Sequence, residues 1–82
     1  MLIMSQDKNK LINLQNVSYF DVDWCNDGFN KIWQISVLYV VDDYTSSGIP
    51  IGVYKTEERA KEVLKMIADI QGGASTFYMP EE

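Results

Sequence analysis

The sequence predicts an α+β domain: a small, mainly antiparallel β-sheet of about five or six strands, with one C-terminal amphipathic helix packed on one face. Three observations predict it. Residues 2–54 are rich in β-branched and aromatic side chains interrupted by turn residues. A charged stretch with helical spacing follows from about residue 55. A short run, Ser75 to Met79, then completes an order of β, α, β and is ended by Pro80. The 82 residues contain no repeat, linker or low-complexity segment, so residues 1–82 read as a single domain.

The N-terminal pieces are short. Leu2 to Ser5 reads as a strand, Asp7-Lys8-Asn9-Lys10 as a turn, and Leu11 to Leu14 as a second strand with Ile12 and Leu14 on one side. The apolar parity changes at Gln15-Asn16, which predicts a bulge or a further turn there.

A central hairpin follows. Asp27-Gly28 is a strong signal for a two-residue type I′ turn. With those two residues at its centre, Phe20 faces Ile35, Val22 faces Trp33 and Ser18 faces Val37, and Trp24, Tyr39 and Val41 share that face. The opposite face pairs Val17 with Leu38, Tyr19 with Ser36, Asp21 with Gln34 and Asp23 with Ile32. One face is nearly all apolar and the other mixed, and a slip of one residue would mix them.

Asp42 to Gly48 reads as a polar loop and Ile49 to Tyr54 as a strand, in which Pro50 argues for a sheet edge or a strand start. The helix is expected over about 57–71. Thr56 is its N-cap, and Glu57 and Glu58 sit in the first turn, where the helix dipole favours negative charge. Ala60, Val63, Leu64, Ile67 and Ile70 form the buried stripe, with Met66 and Ala68 beside it, and Glu57 with Lys61 makes an i, i+4 pair. Gly72-Gly73 is the expected stop. The stripe should meet the face of Phe20, Val22, Trp33 and Ile35.

Composition narrows the function. The chain has no His and one cysteine, Cys25, so it lacks the residues for Ser-His-Asp or Cys-His catalysis and for the usual zinc, haem or iron–sulfur ligation. No cofactor is expected. No apolar run is long enough to cross a bilayer, and Met1 to Asp7 lacks the pattern of a signal peptide, which with the unpaired cysteine leads to a cytoplasmic expectation. A formal charge of −5 argues against direct nucleic-acid binding. Lys55, Arg59, Lys61 and Lys65 gather near the helix but are balanced by Glu57, Glu58, Glu62 and Asp69.

Each acidic or nucleophilic candidate has a simpler reading. Asp21 to Gly28 looks superficially like a calcium loop, but Cys25, Asn26 and Ile32 stand where an oxygen ligand, a glycine and a glutamate are needed. Two strand carboxylates leading into a turn account for it. Asp42-Asp43 reads as a solvated loop start at the end of the hairpin away from Asp21 and Asp23. Cys25 has no neighbouring base to activate it.

Both ends of the chain carry a resemblance. Met1-Leu2-Ile3-Met4-Ser5-Gln6-Asp7-Lys8, then Leu11 to Val17, and later Gly52 to Leu64 with Phe77-Tyr78-Met79-Pro80, make up roughly half of the chain. In these segments it resembles a group of short uncharacterised proteins of Gram-positive bacteria and their phages, with an N-terminal Ser-Gln-Asp-Lys segment and a Tyr-x-Thr-Glu-Glu-x-Ala helix followed by Met-Pro. The resemblance implies a phage or prophage setting and a compact α+β fold; it assigns no functional residue.

The mixed face of the hairpin supplies the candidate site. Val17, Tyr19, Ile32, Leu38 and Val40 make it more apolar than a solvated face should be, which suits a protein interface. Self-association is the first expectation, a second internal layer formed by the N-terminal strands is the next, and another protein's docking surface the third. Residues 21–43 hold five Asp against one Lys, which suits a basic partner. The expected function is therefore non-enzymatic: a small accessory protein, a homodimer, that binds and modulates a host nucleic-acid-handling or defence protein. The alternatives are a structural or assembly protein whose main contact is itself, and a minor nucleotide- or metal-dependent activity using Asp21, Asp23 or Asp42.

Overall fold

A computed structural model describes residues 2–40, 46–70 and 76–82. The described residues form six strands and one α-helix, as the sequence predicts, but the strands divide into two three-stranded sheets. β1 (Leu2–Met4), β2 (Leu11–Asn13) and β6 (Thr76–Tyr78) make the smaller sheet, in the order β2-β1-β6. β3 (Tyr19–Asp27), β4 (Asn30–Val40) and β5 (Ser46–Tyr54) make the larger, in that order. Every pairing is antiparallel except β1 with β6. The parity change after β2 is a turn of 3-10 helix, Leu14–Asn16, capped by the Asn13 side chain, which accepts from Gln15 N–H.

The helix α1 (Glu57–Asp69) starts where its cap residue requires. Thr56 Oγ1 accepts from Arg59 N–H at 3.1 Å, and Lys61 reaches Glu57 at 3.0 Å. Ala60, Val63 and Ile67 are its buried residues, while Met66 is partly exposed. Ile70 caps the C-terminus, so the helix is two residues shorter than its apolar spacing allows; Gly72-Gly73 lies outside the described residues. The described helix is too short to cross a membrane.

The hairpin keeps its predicted faces and changes its register. Its central turn residues are Gly28 and Phe29, so Phe20 meets Val37, Val22 meets Ile35 and Trp24 meets Trp33. The predicted partners Ile35 for Phe20 and Trp33 for Val22 are each displaced by two positions. The cause is the turn. A type I′ turn centred on Asp27-Gly28 would place Asp27 as well as Gly28 at positive φ. The observed turn puts only Gly28 there, at φ +65°, as the first central position of a type II′ turn requires. A displacement of two leaves every side chain on its own face.

β5 starts at Ser46, so Ser46 to Gly48 belong to a strand where a loop was expected; residues 41–45 lie outside the described residues. β5 is an edge strand, as Pro50 predicts, and it carries a bulge. Ile35 pairs with Gly52 and Ser36 with Pro50, which leaves Ile51 as the extra residue. The bulge lets Ile51 and Tyr54 both face inward, each about 2% exposed.

One core joins the two sheets and the helix. Ile35, Val37, Ile51 and Tyr54 from the larger sheet pack with Ala60, Val63 and Ile67 of the helix, and with Ile3, Ile12 and Met79 at the smaller sheet. Helix and small sheet thus cover the same face of the larger sheet, and Phe20, Val22 and Trp33 pack at the margin of this core.

Candidate protein-binding surface

The β3–β4 hairpin outreaches its neighbour. Pairing between β4 and β5 ends at Trp33 and Tyr54, so residues 25–32 continue as a two-stranded arm. At its tip Phe29 is fully exposed. A turn with glycine at its first central position leaves the second free for any residue of ordinary φ, and an aromatic ring there has no core to enter.

Behind the tip lies an aromatic platform. Trp24 and Trp33 are directly opposite each other, and Trp24 is 50% exposed. The Lys31 ammonium stands 4.6 Å from the Trp24 ring centre and 5.1 Å from that of Trp33, within cation–π range of both. The signal in the sequence is an aromatic residue directly after a turn glycine, with a Trp on each flanking strand.

The predicted interface residues separate into groups. Tyr19 and Leu38 are cross-strand partners on the outer face of the larger sheet, Tyr19 50% exposed and Leu38 partly so. Ile32 lies further along that face opposite Cys25, with Asp21, Ser36, Asp23 and Gln34 between the two pairs. Val17 precedes β3 and packs against the core. Val40 ends β4 opposite Ser46. The N-terminal strands contribute Ile3 and Ile12 to the core on the other side of this sheet, while Tyr19, Ile32 and Leu38 take no part in that core. Asp21, Asp23 and Asp27 all lie in β3, an extended strand that cannot wrap a calcium ion as a loop does. Asp42 and Asp43 lie outside the described residues.

A second locus escaped sequence reasoning. Gln6 sits between the small sheet, the edge of β5 and the C-terminal segment. Its backbone N–H donates to Ile51 O at 2.8 Å. Its carboxamide nitrogen donates to the carbonyls of Val53, Pro80 and Glu81 at 2.9, 3.1 and 2.9 Å, and its oxygen accepts from Val53 N–H. Tyr54 Oη donates to Pro80 O at 2.8 Å, Arg59 Nε to Glu82 O at 2.8 Å, and Lys8 lies 3.6 Å from Glu81. Burial pushes the Tyr54 phenol up to about 12, against the opposing pull of Arg59, so it remains a donor. Gln6, Val53, Tyr54, Thr56 and Arg59 line an open cavity of about 540 Å³ at this junction.

The turn before β2 is built by Ser5 and Asp7. Ser5 Oγ donates to Asp7 Oδ1 at 2.6 Å and accepts from Lys10 N–H at 3.1 Å, while Asp7 Oδ1 also accepts from Asn9 N–H at 3.0 Å. The Ser5 hydroxyl and then the Asn9 amide hold the Asp7 carboxyl below its ordinary value. Lys8 takes the left-handed backbone, at φ +64°. The Ser-Gln-Asp-Lys segment and the Met-Pro segment, which carried the resemblance from opposite ends of the chain, are therefore in contact.

Searches of protein-family models, curated proteins and solved structures find no match to this chain.

Proposed function

We propose that this protein acts by binding another protein through the β3–β4 arm, as a small non-enzymatic accessory protein. The observation that carries the reading is Phe29, an aromatic side chain presented whole to solvent at the end of a hairpin that outreaches its sheet. Exposed aromatic residues backed by a rigid strand pair are the kind of anchor that dominates protein interfaces. The resemblance of both chain ends to short phage and prophage proteins supports a bacterial host protein as the partner. Asp21, Asp23 and Asp27 along β3 suit one with a basic surface, as nucleic-acid-handling and defence proteins have. The test is retention of host proteins from a Gram-positive lysate by the immobilised wild-type protein and by Phe29→Ser and Trp24→Ala variants. A discrete protein held by the wild type and lost with Phe29→Ser supports the reading. Equal retention by all three, or none by any, overturns it.

A second reading rests on the outer face. Tyr19 opposite Leu38 is an apolar pair in an exposed setting, which favours self-association as a homodimer and a structural or assembly role.

A further inference from the structure

We propose that the free edge of β3 takes up an extended segment of a partner protein in which basic and apolar residues alternate, adding a fourth strand to the larger sheet. The inference rests on the protein-binding reading and names the chemistry of the partner.

β3 runs for nine residues at the edge of its sheet, with β4 on one side and no other strand paired to it among the described residues. The two-residue turn settles which backbone groups face outward. Asp27 and Asn30 flank the turn as a hydrogen-bonded pair, so the odd-numbered residues of β3 bond to β4, and Phe20, Val22, Trp24 and Asn26 turn their N–H and C=O groups to the free side. Trp24 agrees: its N–H is bonded at 2.8 Å by the adjacent Asp23 carboxylate instead of by a strand. Long edges are usually blunted by proline, lysine, a bulge or a covering element. β3 has no proline or lysine, and its register with β4 is unbroken from Tyr19 to Asp27.

The side chains beside this edge specify the occupant. On the outer face Asp21, Asp23 and Asp27 are exposed, with Cys25 between the last two. On the other face Phe20 and Val22 lie at the core margin and Trp24 is half exposed. A strand added here places successive residues on opposite faces. Lysine or arginine at every second position would meet the carboxylates, and apolar residues between them would extend the core past Phe20, Val22 and Trp24. A second copy of the chain fits poorly. Full antiparallel overlap of two β3 strands sets Asp23 against its own counterpart, and a shift by two residues sets Asp21 against Asp23; like charges directly opposite destabilise a strand pair.

The experiment uses the intact protein and synthetic nine-residue peptides: one alternating Lys with Val or Thr, its counterpart with Glu for Lys, and the Lys peptide with prolines at alternate positions. The expected result is that the Lys peptide binds, changes the Trp24 fluorescence and slows hydrogen exchange at the amides of Phe20, Val22 and Asn26. The Glu and Pro peptides should bind roughly tenfold more weakly or not at all, and added salt should weaken the Lys peptide. Asp21→Asn and Asp23→Asn, both at exposed positions, should each weaken it by about threefold. Equal binding of the Lys and Glu peptides, no binding by any, or amide protection already present in the free protein overturns the inference. If a lysate protein depends on Phe29 but is indifferent to Asp21→Asn/Asp23→Asn, the edge proposal fails while the protein-binding reading stands; if it is indifferent to both, that reading fails as well.

Discussion

Gln6 meets Val53 as a paired strand residue would: its side-chain oxygen accepts from Val53 N–H at 2.9 Å and its side-chain nitrogen donates to Val53 O at 2.9 Å. The outer edge of β5 is thereby closed at Val53 by a carboxamide, and at Ile51 by the Gln6 backbone. The same nitrogen holds the Pro80 and Glu81 carbonyls, so one side chain joins the small sheet, the large sheet and the C-terminal segment.

Replacing Gln6 by Leu keeps much of the volume and removes these bonds. The expected loss is about 2 kcal/mol, a net hydrogen bond being worth roughly 1 and an orphaned polar group more. Urea unfolding measures it. Gln6→Glu sharpens the point, because a carboxylate facing three carbonyls favours its protonated form. Its pKa should rise in the folded state, so the variant should be most stable in acid and weaken as pH rises through that value, the reverse of an ordinary surface glutamate.

Gly52 allows the close packing at the bulge. A Cβ there would stand 3.0 Å from Met79 Cε and from Tyr54 Cε2 and Oη. The Met79 tip can swing away, but the Tyr54 ring is held by its bond to Pro80 O. Gly52→Ala should therefore cost about 1–3 kcal/mol, as overpacked sites do. Combining it with Tyr54→Phe should cost less than the two single changes together, which a double-mutant cycle in denaturant would show.

Two titrations bound the stable pH range. Asp7 has its carboxyl held low by Ser5 and Asn9, so its contribution is complete above the ordinary carboxylate value and is lost as pH falls through the lowered folded value. Asp7→Asn should flatten stability below about pH 4. Tyr54 is raised from 10.0 to about 12, so its contribution is complete below 10.0 and is lost as pH climbs toward 12. Tyr54→Phe should be less stable at neutral pH, having lost the bond to Pro80, and should lack that alkaline decline. Thermal unfolding across the pH range tests both.

Gly28 and Phe29 separate backbone cost from side-chain function. A Cβ on Gly28 would meet nothing within 4 Å, so Gly28→Ala bears only the left-handed backbone penalty, about 1–2 kcal/mol. Phe29→Ser should leave the stability unchanged within about 0.5 kcal/mol, because the ring packs on nothing. Calorimetry distinguishes the two.

On the outer face, Leu38→Lys should leave a folded monomer. If wild-type protein is dimeric by light scattering and this variant is not, the Tyr19–Leu38 pair is the self-association surface; a wild-type monomer at high concentration removes that reading.

What was legible in the sequence follows the range of the forces involved. The helix was readable because Thr56, Glu57 and the Ala60–Val63–Ile67 stripe each act within a few residues. The faces of the hairpin were readable because alternation survives any even shift. Its register was not, since it depends on whether Gly28 takes the first or second central position of the turn. The division into two sheets was hidden because β1 and β6 are three residues each and find each other across nearly the whole chain. Gln6 left no periodic trace: a polar residue in a turn looks solvated until the strand it pairs with is known. Phe29 sat in plain view beside Gly28, and its exposure is a matter of turn geometry that composition does not carry.

The parallel pairing of Leu2, Ile3 and Met4 with Thr76, Phe77 and Tyr78 also sets an order of assembly. On the ribosome the β3–β4 hairpin can close as soon as it emerges, whereas β1 must wait for β6, which is made only after both the hairpin and the helix. Closing so long a loop before any contact rewards it is slow, so folding should end with the docking of residues 76–82. A nascent chain halted before that point would display its arm while β1 still lacked its partner β6, so binding competence should precede full stability during synthesis.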